Sequence, residues 1–453
     1  MLKLKARLDH ALRISYFDYV RLHEHIQKMS LSRRILTWIY MLCRTIAKYI
    51  IFLILYVKPR NKKLDLKQYE WIIVNDHSGH CELFMQGIVE KFSEKKSILY
   101  LSLNRKIKST KYNTPLIFNE FRYLTIISLI GGIKYTWLQR NKFVGLGFWK
   151  FLILLNYILD CSRVIEACNF YRKVKLMDKA KLITLCDSHW HQSVLTTEFN
   201  ERKLQSFTLI HGQPSEWHLM YPFMSDYILT YGNSMSEMLL KKCPNVEKKQ
   251  LIQIGNIKFP NFHEEVIDNS DYCYKNITEI VFISPGYNCF KSYGLEGLGK
   301  ELSGFLDLNI ENITLAIRPY PSDEEKKFVE KILLDKGLLD KVPVLNEPDF
   351  SKLVNNHRLF IGSISSAISD VFMFNGLFVG LCEEIPRKLS ETMMTYSSDM
   401  YFSINDLKDI IESFSDQKTL DAYLDKILII RREMFSPVPE KLDVLLKEYA
   451  KDY

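Results

Sequence analysis

The segment Leu359–Phe372 reads LFIGSISSAISDVF: a short apolar strand over Leu359–Ile361, a glycine, then Ser363, Ser365, Ser366 and Ser369 entering an apolar helix. The first N–H groups of a helix have no partner inside it, and the helix dipole adds partial positive charge there. Small hydroxyl residues at such a turn therefore suit a phosphate. The same pattern also fits a serine-rich N-cap on an ordinary turn. Two further strand-like segments end in residues suited to group transfer. Ile313–Ile317 runs into Arg318-Pro319-Tyr320-Pro321, where Arg318 fits either a phosphate or a surface ion pair. Phe207–Ile210 runs into His211-Gly212-Gln213. An unperturbed imidazole titrates at about pH 6.5, so His211 is the first candidate for a general base. The alternative for His211 is a backbone hydrogen bond at the strand end. Asp187, Glu216 and Asp76 follow it, each equally readable as a solvated or capping acid.

Gly286, after Ser284-Pro285 and ahead of Lys291 and Ser292, gives either close backbone approach to a ligand or a plain tight turn. Asp187-Ser188-His189-Trp190-His191 has metal-ligand residue types without ligand spacing, and no D-x-D segment is present. No metal and no cofactor are expected, because a helix start with serines and an arginine can hold a phosphate without one. The 9 cysteines form no C-x-x-C pair, which fits buried thiols in a reducing compartment.

These residues need elements to position them. A chain of 453 residues exceeds one typical core, so two domains are expected. Trp71–Val74, Ile98–Leu103, Leu182–Leu185, Phe207–Ile210, Tyr227–Thr230 and Leu251–Ile254 read as strands, with helical stretches between most of them. The pattern lapses over 258–278, which carries Pro260 and an acidic run. It resumes at Glu279–Ile283, Ile313–Ile317, Val342–Leu345, Leu359–Ile361 and Leu377–Leu381. Alternating strands and helices predict two doubly wound α/β domains with parallel sheets, Rossmann-like, over 61–262 and 278–436. A helical region over 1–60 precedes them, and a terminal helix over 437–453 follows. Ligands bind outside the carboxyl ends of such strands, and His211, Gly232, Gly255, Gly286, Arg318 and Ser365 all fall at predicted strand ends.

The formal charge is +8, concentrated in residues 1–60, where basic residues stand beside apolar runs. That combination favours an anionic membrane surface over nucleic acid. Ile35–Val57 contains Arg44 and Lys48, and Phe143–Leu159 contains Lys150 and Asn156. Leu124–Ile133 contains Gly131-Gly132. They read as core or surface-docking helices, since a span needs ~20 uninterrupted apolar residues, with a single span over 35–57 as the alternative. Peripheral attachment through 1–60, helped by 143–159, is the expectation, on the inner, cytoplasmic face of a bacterial membrane.

The runs TLIHGQ, SDYILTYGNSMSEML, IQIGNIKFP, LAIRPYPSD and IGSISSAISDVFMFNG, in this order, resemble the two-domain (GT-B) glycosyltransferases of bacterial surface-polysaccharide synthesis, capsule and lipopolysaccharide enzymes among them. The resemblance covers about residues 180–380. It implies two domains facing a cleft, and transfer of a sugar from a nucleotide-activated donor to a carbohydrate or lipid-linked glycan acceptor. The nucleotide-sugar is a substrate rather than a cofactor. It further implies that His211-Gly212 faces the reaction centre and that Ser363, Ser365 and Ser366 hold the donor phosphate. Arg318, Pro319 and Pro321 match an R-P-H-P segment, but Tyr320 stands where the resemblance expects histidine. With a pKa of about 10, Tyr320 can donate a hydrogen bond and carries no charge at neutral pH. Gly286 joins the donor side, and Asp187, Gly212, Gln213 and Glu216 the acceptor side.

Other activities fit parts of the chain. Glycerophosphate or polyol-phosphate transfer and sugar epimerisation use similar scaffolds. His77 and Glu82 form an H-x4-E pair that loosely resembles the H-x4-D of membrane acyltransferases, with Asp76 before it and no downstream partner motif. A binding subunit without catalysis is the remaining reading.

Overall fold

The computed structural model describes residues 11–12, 30–56, 65–75, 82–94, 97–102, 116–118, 125–143, 149–185, 190–210, 223–260, 272–284, 294–308, 310–317, 323–346, 350–354, 357–362, 366–381 and 400–449. The apolar runs of the amino-terminal half become β1 (Asp65–Leu66), β2 (Trp71–Asn75), β3 (Ile98–Ser102), β4 (Leu116–Phe118), β5 (Lys175–Leu176), β6 (Lys181–Thr184), β7 (Gln205–Leu209), β8 (Tyr227–Thr230) and β9 (Leu251–Gln253). Seven of these make one sheet in the order β4-β3-β2-β6-β7-β8-β9, with every pair parallel. β1 and β5 pair separately. Every residue of β6 and β8 is buried, as expected where helices cover both faces of a parallel sheet. The helices of this half are α1 (Leu31–Tyr56), α2 (Glu82–Glu90), α3 (Ile126–Gln139), α4 (Trp149–Tyr171), α5 (Trp190–Glu201) and α6 (Asn233–Lys242).

The second half repeats the plan. β10 (Glu279–Ile283), β11 (Ile313–Ile317), β12 (Val344–Asn346), β13 (Arg358–Gly362), β14 (Leu377–Leu381) and β15 (Tyr401–Phe402) form a parallel sheet in the order β12-β11-β10-β13-β14-β15. Its helices are α7 (Gly294–Asp307), α8 (Asp323–Asp335), α9 (Phe350–Leu353), α10 (Ser366–Met373), α11 (Ile404–Ser413), α12 (Gln417–Met434) and α13 (Leu442–Tyr449). One carboxylate ties three strands together at their amino ends. Glu279 of β10 accepts from Thr314 of β11 at 2.6 Å and from Arg358 of β13. Burial alone would raise the Glu279 pKa, but those hydrogen bonds and the Arg358 charge outweigh it and hold the carboxyl below its ordinary value.

The chain passes between the sheets twice. The first passage follows β9, where Lys258 Nζ lies 2.5 Å from Asp370 Oδ2 of α10. The second follows α12, which is capped by Asp416 accepting from the Thr419 N–H at 3.2 Å. Ser436 then donates its N–H to the Tyr231 carbonyl and its hydroxyl to Gln253 Oε1, both at 2.8 Å. α13 docks on the first half. Leu442 N–H donates to the Lys91 carbonyl at 2.8 Å, and the Asp443 carboxylate accepts from the Ser93 N–H at 3.0 Å and hydroxyl at 2.7 Å. Lys447 pairs with Glu70 at 3.1 Å, and the Tyr227 hydroxyl donates to the Tyr449 carbonyl at 2.8 Å. The terminal helix begins at Leu442 rather than at Pro437. Pro437 and Pro439 lack N–H groups and disfavour helical geometry in the residues before them.

No helix among the described residues is long and apolar enough to cross a membrane. α1 carries Arg44 and Lys48, and Lys48 donates to Asn156 of α4 at 2.8 Å. The two polar residues that interrupt separate apolar runs thus pair with each other.

Candidate active site

Both sheets reverse direction once. In the second, the chain steps outward from β10 to β11 and β12, then returns to the other side of β10 to lay down β13, β14 and β15. β10 and β13 pair in parallel with Ile283 opposite Gly362, so the two strands end level. In a doubly wound sheet the crevice lies outside the carboxyl ends of the two strands that flank such a reversal. The segment containing Gly286 follows β10, and Ser363 and Ser365 follow β13 directly. α10 begins at Ser366, and β11, which precedes Arg318 and Tyr320, is the other neighbour of β10. Gly286, Arg318, Tyr320, Ser363 and Ser365 themselves lie outside the described residues, and Ser366 is described only as the first residue of α10.

In the first sheet the reversal falls between β2 and β6, where Val74 stands opposite Thr184. Asp76 and His77 follow β2, and Asp187 follows β6. His211, Gly212, Gln213 and Glu216 follow β7, one strand further along. All of these also lie outside the described residues. Strand order thus brings forward the segment Asp76–Cys81, which the sequence presented chiefly as an acyltransferase-like pair. The signal that singles it out is sheet order, and periodicity carries no trace of that.

Below these strand ends the core is polar in one line. The Thr184 and Thr208 hydroxyls lie 2.9 Å apart across β6 and β7, and Thr208 continues to Ser225 at the entry to β8. These hydroxyls satisfy one another, as buried polar groups must. His191, a ligand-type residue of the 187–191 run, is fully buried with Nε2 2.6 Å from the Tyr171 hydroxyl and the Trp190 ring edge-on at 5.5 Å. It is part of the α4–α5 packing. Among the described residues no group of three or more His, Cys, Asp or Glu is placed to hold a metal ion.

Two strand-end glycines have a structural job. A side chain on Gly232 would meet the Met434 carbonyl oxygen at 2.6 Å. One on Gly255, whose φ is +70°, would meet that of Ser436 at 2.4 Å. The second passage between the sheets fills both places, and Phe435 stacks on Tyr231 with 6.3 Å between ring centroids. Lys258 meanwhile anchors α10 through Asp370. The helix that begins at the second reversal is therefore fixed to the passage between the sheets.

No protein-family model matches the chain, and no curated protein matches its sequence. Solved structures do. HepE of Anabaena, in a complex with UDP and glucose, superposes with a TM-score of 0.51 at 11% identity, covering 84% of this chain and 99% of HepE. The lipopolysaccharide outer core galactosyltransferase WaaB gives 0.46 at 11% identity, covering 86% of this chain and 100% of WaaB. A UDP-GlcNAc 2-epimerase from Methanocaldococcus jannaschii gives 0.45 at 12%, covering 85% of this chain and 100% of the epimerase. Of these three, the HepE superposition is close enough to show a shared fold. The chain has the two-domain GT-B fold. The fold class expected from its strand pattern is the one found.

Proposed function

We propose that this protein is a glycosyltransferase that moves a sugar from a nucleotide-activated donor to a carbohydrate or lipid-linked glycan acceptor in bacterial surface-polysaccharide synthesis. The observation that carries this reading is the meeting of β10 and β13 at the reversal of the second sheet. The Gly286 segment and the Ser363–Ser366 turn continue from those two strands. The GT-B fold shared with HepE supports it, and HepE's complex with UDP and glucose makes uridine donors the first to test.

Sugar transfer needs a base for the acceptor hydroxyl, stabilisation of the leaving phosphate and exclusion of water. In this reading His211 takes the proton. Asp187, Gly212, Gln213 and Glu216 line the acceptor side. The start of α10, the hydroxyls of Ser363, Ser365 and Ser366, and Arg318 take up the charge of the departing nucleotide. Tyr320 donates a neutral hydrogen bond, and Gly286 admits the backbone close to the donor. Leaving-group charge is met without a metal ion or cofactor. The acceptor is presented at the inner face of the cytoplasmic membrane, where the protein docks peripherally.

The test is nucleotide release from a panel of nucleotide-sugars by the purified protein, with His211→Ala beside it. The variant should keep nucleotide affinity and lose about 100- to 10,000-fold in turnover, the usual scale for a general base. Unchanged turnover would remove His211 from the role and bring Asp187, Glu216 and Asp76 forward in that order. Nucleotide binding by the wild type without turnover on any acceptor would favour a binding subunit.

A further inference from the structure

Helix α3 is built inside out. Its buried face is small or polar at Ser128, Gly132, Thr136 and Gln139, and Tyr135 is the one large side chain among its buried residues. Its outward face is Ile126, Ile127, Ile130, Ile133, Trp137 and Leu138, with Ile127 77% exposed and Trp137 65%. A surface helix of a globular protein does the reverse. The inward face suits its neighbour. A side chain on Gly132 would lie 2.2 Å from the Ser162 hydroxyl and 2.7 Å from the Ile158 carbonyl oxygen of α4, so the two backbones approach closely. Thr136 reaches the Cys161 sulfur at 3.6 Å, and the Thr125 hydroxyl at the N-cap donates to Glu166 at 2.7 Å. Close contact through small and polar residues, with apolar residues turned out, is how helices pack where lipid surrounds them.

α1 extends the surface. It runs along the other flank of α4, held by Lys48 and Thr45 at Asn156 and by the Tyr49 hydroxyl donating to the Leu155 carbonyl at 3.0 Å. α1 and α3 meet α4 at one place, where Tyr49 and Leu129 both pack on Leu159. Leu36, Ile39, Tyr40 and Ile46 of α1 stay exposed, Leu36 by 67%. The charges carried by α1, α3 and the turn after α3 have one sign, while the acids nearby, Asp160 and Glu166, belong to α4. α1 holds four basic residues, α3 one and the turn Arg140–Phe143 two, and none of the three holds an acid. The Arg140 guanidinium lies 4.5 Å from the centre of the exposed Trp137 ring. An indole beside a cation suits the headgroup region, apolar on one side and wet on the other. α3 has 14 residues, about 21 Å of helix, too short for a hydrocarbon core of about 30 Å. It can lie in the interface plane. A second copy of this chain would bring like charge against like charge across a two-fold axis.

We propose that the outward faces of α3 and α1 dock on an anionic phospholipid bilayer. The α3 isoleucines enter the acyl boundary, and Lys134, Arg140 and Lys142 contact headgroup phosphates. This surface specifies the membrane contact proposed above and is independent of the transfer chemistry. The full-length protein should co-sediment with phosphatidylglycerol–phosphatidylethanolamine vesicles, less so at high salt, and not with phosphatidylcholine vesicles. Ile127→Glu with Ile130→Glu should weaken that binding at least about tenfold with an unchanged melting temperature, since both side chains are exposed. Bromolipid quenching of tryptophan fluorescence should fall in Trp137→Phe, which reads the same contact should the double variant not fold. Three results would overturn the proposal: no sedimentation of the wild type with anionic vesicles, wild-type binding by a folded double variant, or quenching undiminished in Trp137→Phe. A wild-type dimer that the double variant abolishes, without lipid binding by either, would make this face a contact between copies instead.

Discussion

A phosphate at the start of α10 would be met by backbone N–H groups and by serine hydroxyls, and mutation separates the two. Ser365→Ala with Ser366→Ala keeps the helix start and removes the hydroxyls. Nucleotide affinity should fall by about 1–3 kcal/mol, the scale for lost hydrogen bonds to a charged group, read by calorimetric titration. Unchanged affinity would move the donor elsewhere. Residue chemistry was only partly legible in the sequence. The glycine–serine turn stood out in the sequence because a hydroxyl-rich helix start is a local pattern, and what the structure adds there is the start of α10 at Ser366. The roles of His191, Gly232 and Gly255 did not stand out. His191 is set by Tyr171, 20 positions away, and the glycines by Met434 and Ser436, about 200 positions on. Each had looked available for ligand or cleft work, and each is taken by packing.

At the scale of elements, the largely buried strands announced themselves as short, mainly apolar runs. β8, β10, β11 and β14 begin and end where those runs do. β1, β5 and β15 were not legible, because two residues carry no periodicity. β4, three residues long, is hardly better marked. The α3–α4 pair was legible as apolar helix, but the facing of α3 was not, since Gly131-Gly132 looks like a break until Ser162 is seen against it. This gives a paired prediction. Gly132→Val should destabilise the protein by about 1–3 kcal/mol in urea unfolding, because the Ile158 backbone cannot yield as a flexible side chain would. Ile130→Ser on the opposite face should change stability by no more than about 0.5 kcal/mol. A large loss from Ile130→Ser would mean that the outward face is covered by protein.

At the scale of the whole molecule, two sheets are held in register by two passages and by α13, which returns to the first half. Asp443 is nearly fully buried there and takes up two donors of Ser93. Asp443→Ala would strand both, at about 1–3 kcal/mol, and should lower the melting temperature. An unchanged melting temperature would show that the Asp443–Ser93 contact contributes nothing to stability. The order of strands within each sheet was beyond the sequence. A parallel strand's neighbour is chosen by crossover connections and not by its own residues, so the two reversals, and with them the Asp76–Cys81 segment, came only from the sheets.

Because α13 completes the first half, the second half is in effect spliced into the first, with both of its ends entering side by side near Tyr231 and Gln253. Manufacture of the protein inherits that order. Domains made early on the ribosome usually fold before later ones appear. Here the amino-terminal sheet can assemble early, but Ser93 and Tyr227 must wait for partners 350 and 222 positions further along the chain, and Glu70 for Lys447 in the same helix. A truncation that removes α13 therefore injures the part of the protein that was made first.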